Sequence, residues 1–63
     1  MDIGTIIKEY RKKKNLSQAE LGEKIGVNFP AISKYENNLA MPPADKFLMI
    51  IKRLKIPIKK FFL

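Results

Sequence analysis

Residues 18–37, Gln18-Ala19-Glu20-Leu21-Gly22-Glu23-Lys24-Ile25-Gly26-Val27-Asn28-Phe29-Pro30-Ala31-Ile32-Ser33-Lys34-Tyr35-Glu36-Asn37, decide the fold. Ser17 stands just before the stretch and Glu20 follows three residues later. Together they form a capping box, which starts a helix at Gln18. Leu21 and Ile25 are four apart and share its inner face. Gly22 lies between them. A helix favours alanine over glycine by roughly 1 kcal/mol, so glycine here predicts a second backbone in close approach. Gly26 suits the positive φ of a tight turn. Asn28 is a good N-cap for a second helix, and Pro30 falls in its first turn, where a missing N–H costs nothing. Ile32 and Tyr35 face inward, and Asn37-Asn38 stops the helix. So short a turn crosses the two helices steeply and leaves the second as a projecting rod about 10–12 Å across.

The pattern continues outward in both directions. Ile3, Ile6, Ile7 and Tyr10 follow the i, i+3, i+4, i+7 spacing of one helix face. Lys12, Lys13 and Lys14 close that helix at the negative end of its dipole, and Asn15 tolerates the left-handed stop. On the other side, Pro42-Pro43 opens a helix with a stripe of Phe47, Ile50, Ile51 and Leu54. Pro57 begins a short last helix holding Ile58, Phe61 and Phe62. No segment alternates as a strand does. The expectation is an all-α fold, a compact single domain of five helices over residues 1–63.

A chain of 63 residues carries one small core. It has no cysteine and no histidine. That removes disulfides, thiolate metal sites and the commonest metal ligand and general base. No convergent acid, base or nucleophile cluster is apparent, so neither an enzyme nor a cofactor or metal site is expected. The net charge of +7 suits a polyanionic partner. No apolar run approaches the ~20 residues that span a bilayer. Residues 1–5 do not read as a signal peptide. The expected location is the cytoplasm, with no membrane association.

The joint spacing of Tyr10-Arg11, Leu16-Ser17-Gln18, Glu20-Leu21-Gly22, Ile25-Gly26-Val27, Ala31 to Asn37, Pro42 and Ile56-Pro57 to Phe61-Phe62 resembles the lambda repressor-like family, also called Cro-type or XRE-type. The resemblance runs from Ile3 to Phe62. It implies a five-helix DNA-binding domain with a helix-turn-helix at about 18–37, whose third helix reads double-stranded DNA in the major groove. It also implies a transcriptional regulator, most simply a repressor on a palindromic operator, of prokaryotic, phage or mobile-element origin. An antitoxin that binds both DNA and a toxin is the alternative, with Leu39, Met41, Leu48 and Met49 as its apolar surface. A further protein partner, or an effector domain outside these residues, stays open.

The family's positions carry over residue by residue. Ser17 and Gln18 correspond to phosphate contacts, as do Asn37 and the backbone of Asn38. Asn28, Phe29, Pro30, Ser33 and Lys34 occupy the reading face. Arg11 and Glu36 correspond to the family's structural ion pair. Phe29 and Pro30 stand where relatives often carry polar residues. Phe29 either packs on thymine methyl groups or folds inward. The loop Leu39-Ala40-Met41 is apolar where relatives often carry lysine or arginine. A homodimer is expected on DNA, through Ile56, Ile58, Phe62 and Leu63; the alternative is that Ile58, Phe61 and Phe62 close the monomer core.

Overall fold

The computed structural model describes residues 2–62. Four α-helices follow one another: α1 Ile3–Lys13, α2 Gln18–Ile25, α3 Phe29–Glu36 and α4 Ala44–Leu54. There is no strand among the described residues. The expected fifth helix is instead a 3₁₀ turn, Ile58–Phe61. Pro57 has an extended ψ of 127° and stays outside it. The segment is held by Lys60 N donating to Pro57 O at 3.0 Å and Phe62 N to Lys59 O at 3.1 Å. Four residues close i+3 bonds but cannot propagate an α-helical ladder. The five-helix count is therefore corrected to four α-helices and one closing 3₁₀ turn.

Local chemistry sets each helix boundary. Asp2 caps α1, accepting from Thr5 N at 2.7 Å. Asn15, at φ 58°, turns the chain out of it. The capping box of α2 is complete: Glu20 N donates to Ser17 Oγ at 3.0 Å, and Ser17 N to Glu20 Oε1 at 2.8 Å. Gly26, at φ 78°, ends α2, and Lys46 Nζ covers the released Ile25 carbonyl at 3.1 Å. Asn28 Oδ1 accepts from Ala31 N at 3.2 Å and starts α3. Pro43 precedes α4 without a side-chain cap. Lys55 closes α4 in the left-handed region at φ 54°.

The core is Ile6, Ile7, Leu21, Ile25, Ile32, Tyr35, Ile50, Leu54 and Ile56. α3 packs on α1 and α2, and α4 packs on the same two helices. Gly22 lets α2 meet the following turn: a Cβ there would sit 2.5 Å from the Val27 carbonyl oxygen. Phe47 and Ile51 are half-buried, and Phe47 meets Phe61 edge-on with centroids 5.0 Å apart. Ile56 is only 4% exposed. Its expected role as a dimer contact is corrected: the left-handed turn at Lys55 swings Ile56 back into the core. Ile58 and Phe62 remain 58% and 78% exposed, so of the three residues proposed to close the core only Phe61 packs against it. Leu63 lies outside the described residues.

Candidate DNA-binding interface

The helix-turn-helix is braced by one buried ionic network. Arg11 Nε donates to Glu36 Oε2 at 2.6 Å, and Arg11 Nη2 to Glu36 Oε1 at 3.1 Å. Arg11 Nη1 donates to the Leu16 carbonyl at 2.6 Å. Gln18 Nε2 completes the set on Glu36 Oε1 at 3.0 Å. The Arg11 and Glu36 side chains are 9% and 1% exposed. A buried charge pair contributes to stability only when its hydrogen-bonding capacity is filled, and every buried side-chain polar atom among the described residues has a partner. The network ties the end of α1, the start of α2 and the end of α3 into one rigid unit.

On this frame the outer side of α3 carries the expected reading set. Asn28, Phe29, Pro30 and Lys34 are exposed and Ser33 is half-buried, while Ile32 and Tyr35 point to the core. Phe29 turns outward, 54% exposed, rather than folding inward. Asn28 commits its Oδ1 to the cap of α3, which leaves its amide N–H groups to reach a base. Ser33 Oγ accepts a long bond from Asn37 Nδ2 at 3.4 Å.

The expected phosphate contacts divide. Ser17 and Gln18 stand at the α2 N-terminus, where the Gln18 and Ala19 N–H groups lie in the first turn, without intrahelical acceptors. Asn37 is exposed at the end of α3. Asn38 differs from expectation. Its N–H already donates to Tyr35 O at 3.2 Å, closing the last turn of α3. Its side-chain Oδ1 accepts from Gly4 N at 3.1 Å. The backbone donor expected for a phosphate is thus engaged within the chain, and Asn38 instead latches the loop to the start of α1.

Several connections escaped the sequence reading, Arg11 to the Leu16 carbonyl and Lys46 to the Ile25 carbonyl among them. Gln18 reaches Glu36, Asn38 reaches Gly4, and Asp2 caps α1. Only the last had a local signal, an aspartate directly before the first apolar-periodic residue. The Thr5 hydroxyl, the Asn38 amide and the Thr5 N–H together lower the Asp2 pKa to about 2. Bonds from the Ser17 N–H and hydroxyl hold Glu20 below its ordinary value as well.

Known proteins share this architecture. An uncharacterised HTH-type transcriptional regulator of Sinorhizobium fredii is 38% identical over 60 residues, 95% of this chain and 42% of that protein. The HTH-type transcriptional regulator SinR of Bacillus subtilis is 48% identical over 46 residues, 73% of this chain and 41% of SinR. The chain thus spans under half the length of these relatives. Among solved structures, the P22 c2 repressor in complex with a synthetic operator superposes with a TM-score of 0.89 at 31% identity, over 97% of this chain and 92% of that one. SinR in complex with DNA gives a TM-score of 0.79 at 36% identity, over 98% and 100%. The helix-turn-helix family matches residues 7–61, and the chain belongs to that family.

Proposed function

We propose that this chain is the operator-reading domain of a transcriptional regulator, most simply a repressor, which places α3 in the major groove of double-stranded DNA. The observation that carries the reading is the pairing of an exposed α3 face with the Arg11–Glu36–Gln18 network. The network makes α3 a rigid probe and sets its angle to α2. The superposition on a repressor bound to its operator supports the same placement. Asn28, Phe29, Ser33 and Lys34 read bases, with Pro30 shaping the contact surface. Phe29 meets thymine methyl groups, and Lys34 reaches guanine O6 or N7. Ser17, Gln18, Asn37 and the free N–H groups of α2 hold phosphates, while Asn38 positions the loop.

The working unit is a homodimer on a near-palindrome, with half-site centres about 10–10.5 base pairs apart. Its contact uses the exposed Ile58 and Phe62 at the closing turn. No described helix is long and apolar enough to cross a membrane. The relatives' descriptions support a regulator over an antitoxin, and their bacterial and archaeal sources support a prokaryotic origin and action on cytoplasmic DNA. Selection of bound sequences from a random DNA pool tests the proposal. A symmetric consensus is the expected result. Absence of binding to any duplex at low salt overturns it.

A further inference from the structure

The outer side of α4 carries a pattern that DNA reading does not use. Ile50 and Leu54 bury the inner side. Asp45, Leu48, Lys52 and Arg53 are spaced three and four apart and exposed on the opposite side, with half-buried Met49 at its edge, where it also touches the core. Leu48 is 56% exposed. Beside it, Met49, Lys52 and Arg53 line an open depression of about 380 Å³. Asp45 lies in the first turn of α4, and Lys52 and Arg53 in the last. The helix dipole favours that distribution, but it provides no partner for the side chains. Positions three and four residues before Lys52 are Met49 and Leu48, so no acid is available within the helix. The one salt bridge among the described residues is Arg11–Glu36, so Asp45, Lys52 and Arg53 have no ionic partner among those residues.

The order acid, apolar, apolar, base is self-complementary. When two copies of α4 lie antiparallel about a two-fold axis between Leu48 and Met49, residues equally distant from the axis meet. Leu48 of each copy enters the depression beside Met49 of the other. Asp45 of each faces Lys52 of the other. A two-fold contact joins the same patch on both subunits, so it demands this kind of symmetry within the patch. An acidic partner would satisfy Lys52 and Arg53 but would set like charge against Asp45, which disfavours it. We propose that the outer face of α4 is a self-association surface that pairs two copies of this chain antiparallel. It uses neither the α3 reading set nor Ile58 and Phe62, and it does not rest on the DNA-binding reading.

The contact is small beside the roughly 800 Å² per partner of a standard interface, so it is a weak one. Sedimentation equilibrium of the 63-residue chain without DNA, up to about 1 mM, tests it. Dimerisation that weakens with added salt is expected. Asp45→Lys and Lys52→Asp should each raise the dissociation constant about tenfold, because both symmetry-related pairs become repulsive. The double exchange Asp45→Lys with Lys52→Asp should restore it. Leu48→Asp, at an exposed position, should abolish dimerisation with the helical circular dichroism spectrum retained. A chain monomeric throughout this range overturns the proposal. So does a double exchange that fails to restore dimerisation, or a dimer lost with Phe62→Asp and retained with Leu48→Asp.

Discussion

Glu36 accepts three hydrogen bonds, two from Arg11 and one from Gln18, with almost no solvent to replace them. Removing Arg11 strands a carboxylate, and removing Glu36 strands a guanidinium. Breaking a buried pair from one side costs about 3–5 kcal/mol. Arg11→Ala and Glu36→Ala should each lower stability by about that amount, and the double variant should lose less than the sum. Chemical denaturation of the four proteins measures this; strict additivity would mean that the two charges do not act together. At the reading face the distinction is one of kind. Lys34→Ala and Phe29→Ala should each change the preferred base at one position, worth about 1–3 kcal/mol. Lys8→Ala, on the exposed side of α1, should leave the preference unchanged. Equal weakening on every sequence after Lys34→Ala would make Lys34 a phosphate contact.

At the scale of the element, caps and close approaches carry the stability. Ser17 closes the α2 capping box, and Ser17→Ala should cost about 1 kcal/mol in thermal or chemical unfolding. Gly4 lets α1 touch the end of α3: a Cβ there would stand 2.5 Å from Tyr35 O and 2.6 Å from Glu36 O. Neither backbone oxygen yields easily. Gly4→Ala should therefore destabilise, even though alanine is the better helix former in isolation. A higher melting temperature for Gly4→Ala would show that α1 shifts freely against α3. The caps also set the acid response. Asp2 and Glu20 have folded pKa values below their unfolded ones, so their contribution is full above the unfolded values near 4. It is lost as pH falls through the folded values, for Asp2 down to about 2. Unfolding followed from pH 5 to pH 2 should show this loss, and Asp2→Asn should flatten its lower part.

At the scale of the whole molecule, the positive charge has to be matched by released counterions. If the proposed interface sets about four phosphates per copy against the chain's lysines and arginines, a pair neutralises about eight. With a slope of roughly −0.9 per phosphate, log affinity against log salt should fall with a slope near −7. A slope flatter than about −2 on selected DNA would mean that the basic surface does not face the phosphates. Full-site DNA should take two copies and half-site DNA one. Saturation of a full palindrome by a single copy would exclude the paired unit.

The helices, their order and most of their ends were legible in the sequence because those signals are local. The Ser17–Glu20 box, the Asn28 cap, the Gly26 turn and the apolar spacing of α1 to α4 each lie within one or two turns. The outward placement of the residues proposed to read DNA followed from helix period and resemblance. What the sequence left open depended on contacts between distant residues. Gln18 meets Glu36 across 18 positions, and Gly4 meets Asn38 across 34. Whether Phe29 folds inward was settled by a core already filled by Ile32, Tyr35 and their neighbours. Ile56 and Ile58 look alike in sequence, two residues apart and both apolar. Only the left-handed turn at Lys55 and the path after it bury one and expose the other. Burial depends on where the chain returns in space, and no local pattern of residues encodes that return.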